Sequence, residues 1–362
     1  MYTDTGRNTL QILTGIDKDG EVCLNIRLKR VIYVVLLLLV VMAAYYAFKI
    51  SGFMTEIQKP KFTTNNGTAK AKEPPPVWTG TERVNILLMG IDQRDVAPEE
   101  TPRSDSMMMV SINPENKTYD LFSVMRDTYV KIPEHGKQKI NNALALGGPE
   151  LAMKTVSEYI GQPVHYYVIT DFEGFKKLID AIGGVEIDVE KNMKYYDPVA
   201  NGKYSIDLKK GVQQLDGEKA LQYVRFRYDV MSDYTRTERQ RKLIGAVASE
   251  LKSTTTIFQI PKILDSIQPY IQTNMSSMDM IKLGSLGISL QANGEGHQLP
   301  PMNMFQEKNL PGGIGASLVP DVEAVQRYVR EHLEDKPNEK DQNDANTTNS
   351  TSYNDVGNQR VS

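Results

Sequence analysis

Residues 31–48, VIYVVLLLLVVMAAYYAF, run for eighteen positions without a charge. Wound as a helix at about 1.5 Å per residue, such a run spans roughly 27 Å, enough to cross the hydrocarbon core of a bilayer. It is apolar on all sides rather than along one stripe, which argues against a core helix of a soluble domain. Arg27, Lys29, Arg30 and Lys49 flank it, and Tyr45 and Tyr46 lie towards one end, where aromatic belts form. A cleaved signal peptide fits less well, because thirty mostly polar residues precede the run and no small-x-small site follows it. The cluster Arg27, Lys29 and Arg30 favours a cytoplasmic N-terminus and a single-pass type II anchor, with the body outside the cell membrane.

This anchor divides the chain. Residues 1–30 form a cytoplasmic segment, 31–48 the transmembrane helix, and 49–80 a polar stalk that ends in the prolines 74–76. The folded body is expected over 81–335. Residues 336–362 have almost no aliphatic side chains and are expected to form a disordered tail.

Composition narrows the chemistry. A net charge of −3 over 362 residues provides no basic field for nucleic acid. The single cysteine, Cys23, precedes the apolar run, so disulfides, thiolate metal sites and cysteine nucleophiles are excluded from the body. Four scattered histidines form no HExxH, and a metal in the body would be held by oxygens, which favours magnesium or manganese. There is no GxxxxGK[ST] and no GxSxG, so neither a nucleotide P-loop nor a serine-hydrolase elbow is supported.

Periodicity describes the body as α/β. Residues 84–90 (VNILLMG), 106–112 (SMMMVSI) and 119–125 (YDLFSVM) read as buried strands. The turn Asn113-Pro114-Glu115-Asn116 joins the second and third as an antiparallel hairpin. If the first strand also pairs antiparallel with the second, Asp92, Asp105 and Arg126 meet at one edge. Helices are expected over 149–160, with Pro149 in the first turn and Gly161 as the stop, and after a cap at Asp171. Val185, Ile187 and Val189 alternate as another strand, and strand–helix–strand here indicates a sheet covered by helices. Further helices are read over 237–252, 257–270, 278–286 and 321–333.

Residues 221–240, LQYVRFRYDVMSDYTRTERQ, carry the densest chemistry. With 223–228 extended, Arg225 and Arg227 leave one face about 7 Å apart, a spacing that suits a diphosphate. Asp233 follows in a loop, then Arg236, Arg239 and Gln240 open a helix. Arg236 and Gln240 share one helical face. Read blandly, these arginines pair with Asp229, Asp233 and Glu238 on a solvated surface, and Asp92 and Asp105 are turn or cap residues. Read together, Asp92 and Asp105 could hold a divalent cation, and Arg126 in SVMRDT and Lys139 in KINNAL add positive charge. That is an inventory for phosphoryl transfer.

The ordered stretches NILLMGID, RSDSMMMVSINP, SVMRDTYV, KINNALALGG, DFEGFKKLIDAIGGVEIDV, LDGEKALQYVRFR and DYTRTERQ resemble the LytR–CpsA–Psr family over about 81–252, with weaker likeness to about 333. The resemblance implies a mixed central sheet covered by helices on both faces, an α/β/α body behind one transmembrane helix. It implies a phosphotransferase outside the membrane of a Gram-positive-type bacterium. Such enzymes move a glycopolymer (wall teichoic acid, capsule or similar) from an undecaprenyl-pyrophosphate carrier onto peptidoglycan. By the resemblance, Asp92 and Asp105 are the magnesium-associated aspartates, with manganese as a substitute. Arg126, Arg225, Arg227 and Asp233 match catalytic positions, and Lys139, Arg236 and Gln240 match positions around the pyrophosphate. Thr235 departs from the glycine many relatives carry before this arginine, which bears on the loop that places Asp233 and Arg236. Asp127, Asp229 and Asp233 are equal candidates for the general base. Two rivals stand beside this reading: a lipid-pyrophosphate phosphatase, and a non-catalytic envelope binding or regulatory protein.

Overall fold

The computed structural model describes residues 14–16, 22–24, 26–59, 76–92, 102–197, 202, 205–227, 232–287, 289–294 and 296–334. The expected tail and the base candidate Asp229 lie outside these residues. A small antiparallel hairpin, β1 (Thr14–Ile16) and β2 (Val22–Leu24), precedes α1 (Ile26–Ile57), the 32-residue helix that contains the apolar run.

The body is organised on β3 (Val84–Ile91), β4 (Ser104–Asn113) and β5 (Thr118–Val124), which pair antiparallel in sequence order. The β4–β5 turn is the expected one: Asn113 Oδ1 accepts from the backbone N–H of Glu115 at 2.9 Å and of Asn116 at 3.1 Å. After the hairpin of β6 (Tyr129–Ile132) and β7 (Gly136–Lys139), the chain forms α2 (Asn142–Ile160). It then enters β8 (Tyr166–Asp171), which lies parallel to β3. Gly147 and Gly148 break the helical path inside α2, so Pro149 opens its longer arm as expected, and Gly161 stops it at φ 70°.

Asp171 caps α3 (Phe172–Ala181) by accepting from Gly174 N at 2.8 Å. β9 (Val185–Val189) alternates as expected, but it pairs with β12 (Gly211–Leu215) in a separate ribbon rather than joining the main sheet. Between them, β10 (Met193–Tyr195) pairs with β11 (Ile206–Leu208). Then come α4 (Gly217–Arg225), α5 (Ser232–Leu251), α6 (Thr254–Ile267), a 3-10 turn at Gln268–Tyr270, β13 (Ile271–Thr273) and α7 (Ser277–Gly287). The chain closes with β14 (Gln291–Ala292), β15 (His297–Leu299), the hairpin of β16 (Phe305–Leu310) and β17 (Gly315–Pro320), and α8 (Val322–Leu333).

Among the described residues the central sheet has seven strands in the order β13-β8-β3-β4-β5, with β14 and β15 both paired to β5. Its two faces follow the strand alternation. Leu87, Met89 and Ile91 pack with Ala152 and Val156 of α2 and Val325 and Val329 of α8. Val84 and Ile86 face the other way, against Trp78, Met275 and the α7 side chains Leu283 and Leu286. A strand buried on both sides has no polar face to show, which is why residues 84–90 read as nearly continuous apolar sequence. The expected mixed sheet with helices on both faces is the observed fold.

Two expectations need correction. The arginine segment is not a strand through 223–228. Asp216 accepts from Lys219 N at 2.8 Å, and Ala220, Leu221 and Val224 turn a helical face into the second core, so α4 continues to Arg225. Capping and a 3.6-residue apolar period decide the conformation here, over the alternation of Tyr223, Arg225 and Arg227. Arg225 and Arg227 therefore do not share a strand face. Secondly, the stretch 49–80 does not begin as a stalk. α1 runs to Ile57, and Phe53, Met54 and Ile57 are buried with Ile179, Ile263 and Ile267. Lys49 Nζ meets Asp265 Oδ2 at 2.7 Å, and Gln58 Nε2 donates to Met275 O at 2.7 Å. The lower end of α1 belongs to the body. Its upper part, including Val31 to Met42, is exposed throughout, as a span in lipid requires.

Candidate active site

The antiparallel meander brings the ends of β3 and β5 and the start of β4 to one edge of the sheet. Register breaks between Gly90 and Ile91, where Ser106 and Ser104 are the successive partners. Asp105 therefore occupies a bulge inside β4, rather than preceding the strand, with Asp92 just beyond the facing end of β3. A bulge re-aims one side chain at a strand end. Arg126 lies two residues past β5, and its Nη1 donates to Asp105 Oδ1 at 2.7 Å. Its Nε lies 3.5 Å from Asp127 Oδ2, and Lys139 Nζ, at the end of β7, donates to Asp127 Oδ1 at 2.8 Å. Charges thus alternate along the edge as Asp105, Arg126, Asp127 and Lys139.

A second series meets the first. Arg227, two residues past α4, has its Nε 3.7 Å from Asp233 Oδ1, in the first turn of α5. Arg236 Nη2 approaches the same oxygen at 3.5 Å. α5 starts at Ser232, so Asp233 is helical rather than in a loop. A carboxylate in the first turn is favoured by the helix dipole. Arg236 is only 5 % exposed, and the Nε atoms of both Arg126 and Arg236 are buried and make no hydrogen bond, the Asp127 contact of Arg126 being an ion pair only. The protein's own carboxylates do not complete either guanidinium.

Electrostatics distinguish the two central arginines. Burial works against the Arg126 cation, but Asp127 and Asp105 outweigh it and hold its pKa above the ordinary arginine value. Burial, and then the neighbouring Arg126 charge, push Arg227 the other way. Both remain cations. Arg227 is the less compensated of the two, and an added anion between them relieves their mutual repulsion.

The remaining sequence candidates separate. Gln240, on the same face of α5 as Arg236, accepts from Ser106 Oγ at 3.1 Å and so faces the β4 end of the edge. Arg225 lies over the Phe172 ring, 5.5 Å from its centroid, at the C-terminal end of α4 where a cation suits the helix dipole. Arg239 leaves the cluster altogether. It is 2 % exposed, bonds Glu190 Oε1 at 2.6 Å and Phe226 O at 2.9 Å, and lies over the Phe226 ring. It braces α5 against the β9 segment. Arg126 does pair with Asp127, as a plain salt bridge would have it, whereas Lys139 is not a solvated loop lysine: it ends β7 and pairs with Asp127 too, so the ion pairs are part of the cluster.

One wall of the site was not read from the sequence. A cleft of about 730 Å³ opens beside Asp127, Arg227 and Asp233, and its far side is the β16–β17 hairpin. Two strand-like runs around the glycine-rich turn at 311–315 were the available signal. For a metal, the donor set at the edge is two carboxylates, Asp92 and Asp105, on facing strand ends. Hard oxygen ligands of this kind fit magnesium or manganese. Among the described residues no group of three or more His, Cys, Asp or Glu is placed to hold a metal.

Helices on both faces of a mixed sheet, cations and carboxylates gathered at one edge, and in front a helix long and apolar enough to cross a membrane define an α/β protein with an edge site. The chain belongs to the LytR_cpsA_psr family, whose family model matches residues 46–307. Regulatory protein MsrR of Staphylococcus aureus (strain COL) is 36% identical over 230 residues, covering 63% of this chain and 67% of MsrR. A protein of Bacillus mycoides (strain KBAB4), polyisoprenyl-teichoic acid–peptidoglycan teichoic acid transferase TagU, is 32% identical over 307 residues, covering 82% of this chain and 94% of TagU. The solved structure of the LytR-CPS2A-psr family protein YwtF (TagT) with bound octaprenyl pyrophosphate lipid aligns at a TM-score of 0.52 and 27% identity, covering 75% of this chain and 98% of that one.

Proposed function

We propose that this protein is a membrane-anchored extracellular phosphotransferase. It moves a glycopolymer from a polyprenyl-pyrophosphate carrier, undecaprenyl in the cell, onto a hydroxyl of peptidoglycan. The observation that carries this reading is the Arg126–Arg227 pair: two adjacent cations, one incompletely compensated, at an edge flanked by carboxylates. Two neighbouring guanidinium forks suit the two linked phosphates of a pyrophosphate. Support also comes from the names of TagU and of the lipid-bound TagT structure.

In this reading Arg126, Arg227 and Arg236 bind the pyrophosphate and disperse its charge, so that an incoming hydroxyl is not repelled. Lys139 holds Asp127 in place and adds positive charge. Gln240, through Ser106, fixes the α5 face against the β4 bulge. Arg225 and Phe172 set a cation directly beside the second apolar core, which suits an amphiphile whose polar head continues into a prenyl tail. Asp92 and Asp105 would hold Mg²⁺, or Mn²⁺ in its place, which when bound supplies charge neutralisation to the phosphate oxygens. The acceptor oxygen bonds to the glycan-bearing phosphorus, the bond to the bridging oxygen breaks, and the lipid monophosphate leaves. Asp127 or Asp233 receives the hydroxyl proton.

The test is the product formed from a labelled polyprenyl-pyrophosphate glycan by the full-length protein with peptidoglycan oligomers. Transfer produces a phosphodiester to the oligomer. Release of glycan phosphate to water alone identifies the phosphatase, and binding without turnover identifies the regulatory protein that the MsrR name would favour. Orientation is tested separately: an impermeant thiol reagent on intact cells should spare Cys23 and reach a cysteine placed in the C-terminal tail.

A further inference from the structure

We propose that the junction of α1 and α6 holds a site for the phosphodiester headgroup of an anionic membrane phospholipid. The proposal rests on α1 crossing a bilayer and is independent of the transfer reading above. Phe53, Met54 and Ile57 of α1 enter the second core with Ile263 and Ile267 of α6, and Lys49 Nζ meets Asp265 Oδ2 at 2.7 Å. α1 is one helix through all these contacts, so no flexible stalk separates the apolar run from the body. Lys49 is the first residue past that run, about 1.5 Å along the axis from its end. The polar layer on each side of the hydrocarbon is about 5–8 Å thick, so Asp265, in contact with Lys49, lies within that layer when α1 spans. A cavity of about 470 Å³ opens there, lined by Tyr45, Tyr46, Pro261, Lys262, Asp265 and Ser266.

Three features favour a lipid phosphate in this cavity. First, Lys262, Asp265 and Ser266 stand at i, i+3 and i+4 and share one face of α6. Asp265 is matched by Lys49, whereas Lys262 is exposed and has no carboxylate partner among the described residues. One positive charge is therefore in surplus, which one phosphodiester neutralises. Secondly, the Tyr45 and Tyr46 rings stand edge to face with centroids 6.0 Å apart. Tyrosines at this depth set the ring against acyl chains and the hydroxyl among headgroups, where it can donate to a phosphate oxygen. Thirdly, α1 beyond the cavity is apolar on all sides, with Val40, Val41 and Met42 exposed. A free phosphate uses only the polar end of such a place, while a phospholipid also covers the helix above it. A headgroup bound here ties α6 to the leaflet beside the anchor, so the body is held to the surface at two points.

The test titrates phosphatidylglycerol into the full-length protein in neutral detergent micelles and reads retained lipid by native mass spectrometry. Wild type, Lys262→Gln, Lys262→Arg and Lys59→Gln are compared once melting shows that each is folded. Lys59 pairs with Glu56 outside the cavity, so Lys59→Gln removes the same charge from elsewhere near the junction. Lys262→Gln should weaken retention about fivefold, the equivalent of about 1 kcal/mol for one basic group at an anionic surface. Lys262→Arg and Lys59→Gln should both stay within about twofold of wild type. Unchanged retention in Lys262→Gln would overturn the proposal. Equal losses in the two glutamine variants would overturn it too, because they would show diffuse attraction rather than a site. Tighter retention of polyprenyl monophosphate than of phosphatidylglycerol would give the cavity to the carrier, and displacement by inorganic phosphate would give it to a soluble anion; either result overturns the proposal and leaves transfer intact. Full-length protein that stays in the aqueous fraction without detergent would instead remove the spanning role of α1 beneath it.

Discussion

Arg126 Nη1 lies 2.7 Å from Asp105 Oδ1, joining the end of β5 to the bulge of β4 across the strand edge. Asp105 thus has two tasks in the proposed site, as partner of Arg126 and as half of the carboxylate pair with Asp92. Asp92→Asn removes one cation ligand only, whereas Asp105→Asn also removes a charge from Arg126. Both should lower Mg²⁺-dependent turnover, Asp105→Asn more. Both should also reduce the rise in melting temperature produced by Mg²⁺, which follows from ligand linkage. Equal Mg²⁺ responses in wild type and the double variant would remove the metal assignment.

Arg239 is expected to act on stability alone. Arg239→Met keeps much of the apolar stem but strips Glu190 and Phe226 O of their charged donor. A hydrogen bond to a charged group is worth about 1.5–3 kcal/mol, so unfolding should be easier by roughly 2 kcal/mol. Denaturant melts measure this. Donor affinity should stay at the wild-type value, and a large loss of affinity in the folded variant would return Arg239 to the substrate site.

The lower end of α1 is part of the folded body, and truncation should reveal it. A fragment starting at Ser51 retains Phe53, Met54 and Ile57, which are each 7 % exposed or less. One starting at Pro76 leaves Ile263 and Ile267 without that cover. Burying an aliphatic or aromatic side chain contributes about 1.5–3 kcal/mol, and a body of this size shifts by about 2–4 °C per kcal/mol. The shorter fragment should melt several degrees lower. Identical melting would mean that the helix end adds nothing to the body.

His297 gives the stability a pH dependence. Burial, then His332 and Arg241, push its pKa down to about 4 from the ordinary 6.5. Its Nδ1 is 2.8 Å from the Tyr328 hydroxyl, its ring stacks on Phe122, and His332 of α8 lies beside it. A depressed folded-state pKa means that the unfolded chain binds the proton first. This contribution is fully present above about pH 6.5 and is lost as pH falls through about 4. Melting temperature should fall across that window in wild type and fall less in His297→Gln. Parallel profiles would assign the dependence to other groups.

Much of the sheet was legible because its strands are buried on both faces and bounded by turn residues. Residues 84–90, 106–112 and 119–125 announce themselves by composition, within two residues of the observed strand ends, and Asn113 and Asp171 mark a turn and a cap. Gathering Asp105 with Arg126 followed from hairpin topology alone. The arginine segment misled because Tyr223, Arg225 and Arg227 alternate like a strand, while the capping of Asp216 and the core contacts of Leu221 and Val224 favour helix. Residues 49–57 read as stalk because their apolar face is sparse, and only the partner surface of α6 shows that it is buried. Arg236 and Arg239 look equivalent in sequence, and the position of Glu190, set by the β9 ribbon, separates them.

The central claim is that Arg227, paired with Asp233 and felt electrostatically by Arg126, stabilises the pyrophosphate as it is cleaved. Arg227→Lys keeps a charge and loses the planar fork. The decisive measurement is transfer of a labelled polyprenyl-pyrophosphate glycan to peptidoglycan oligomers, with donor binding followed in parallel, for wild type and Arg227→Lys. Turnover should fall about 10²–10³-fold, the scale for removing one preorganised donor, while donor affinity falls much less. Near wild-type transfer by the folded Arg227→Lys protein, or a loss confined to affinity, would contradict the placement of catalysis at this edge.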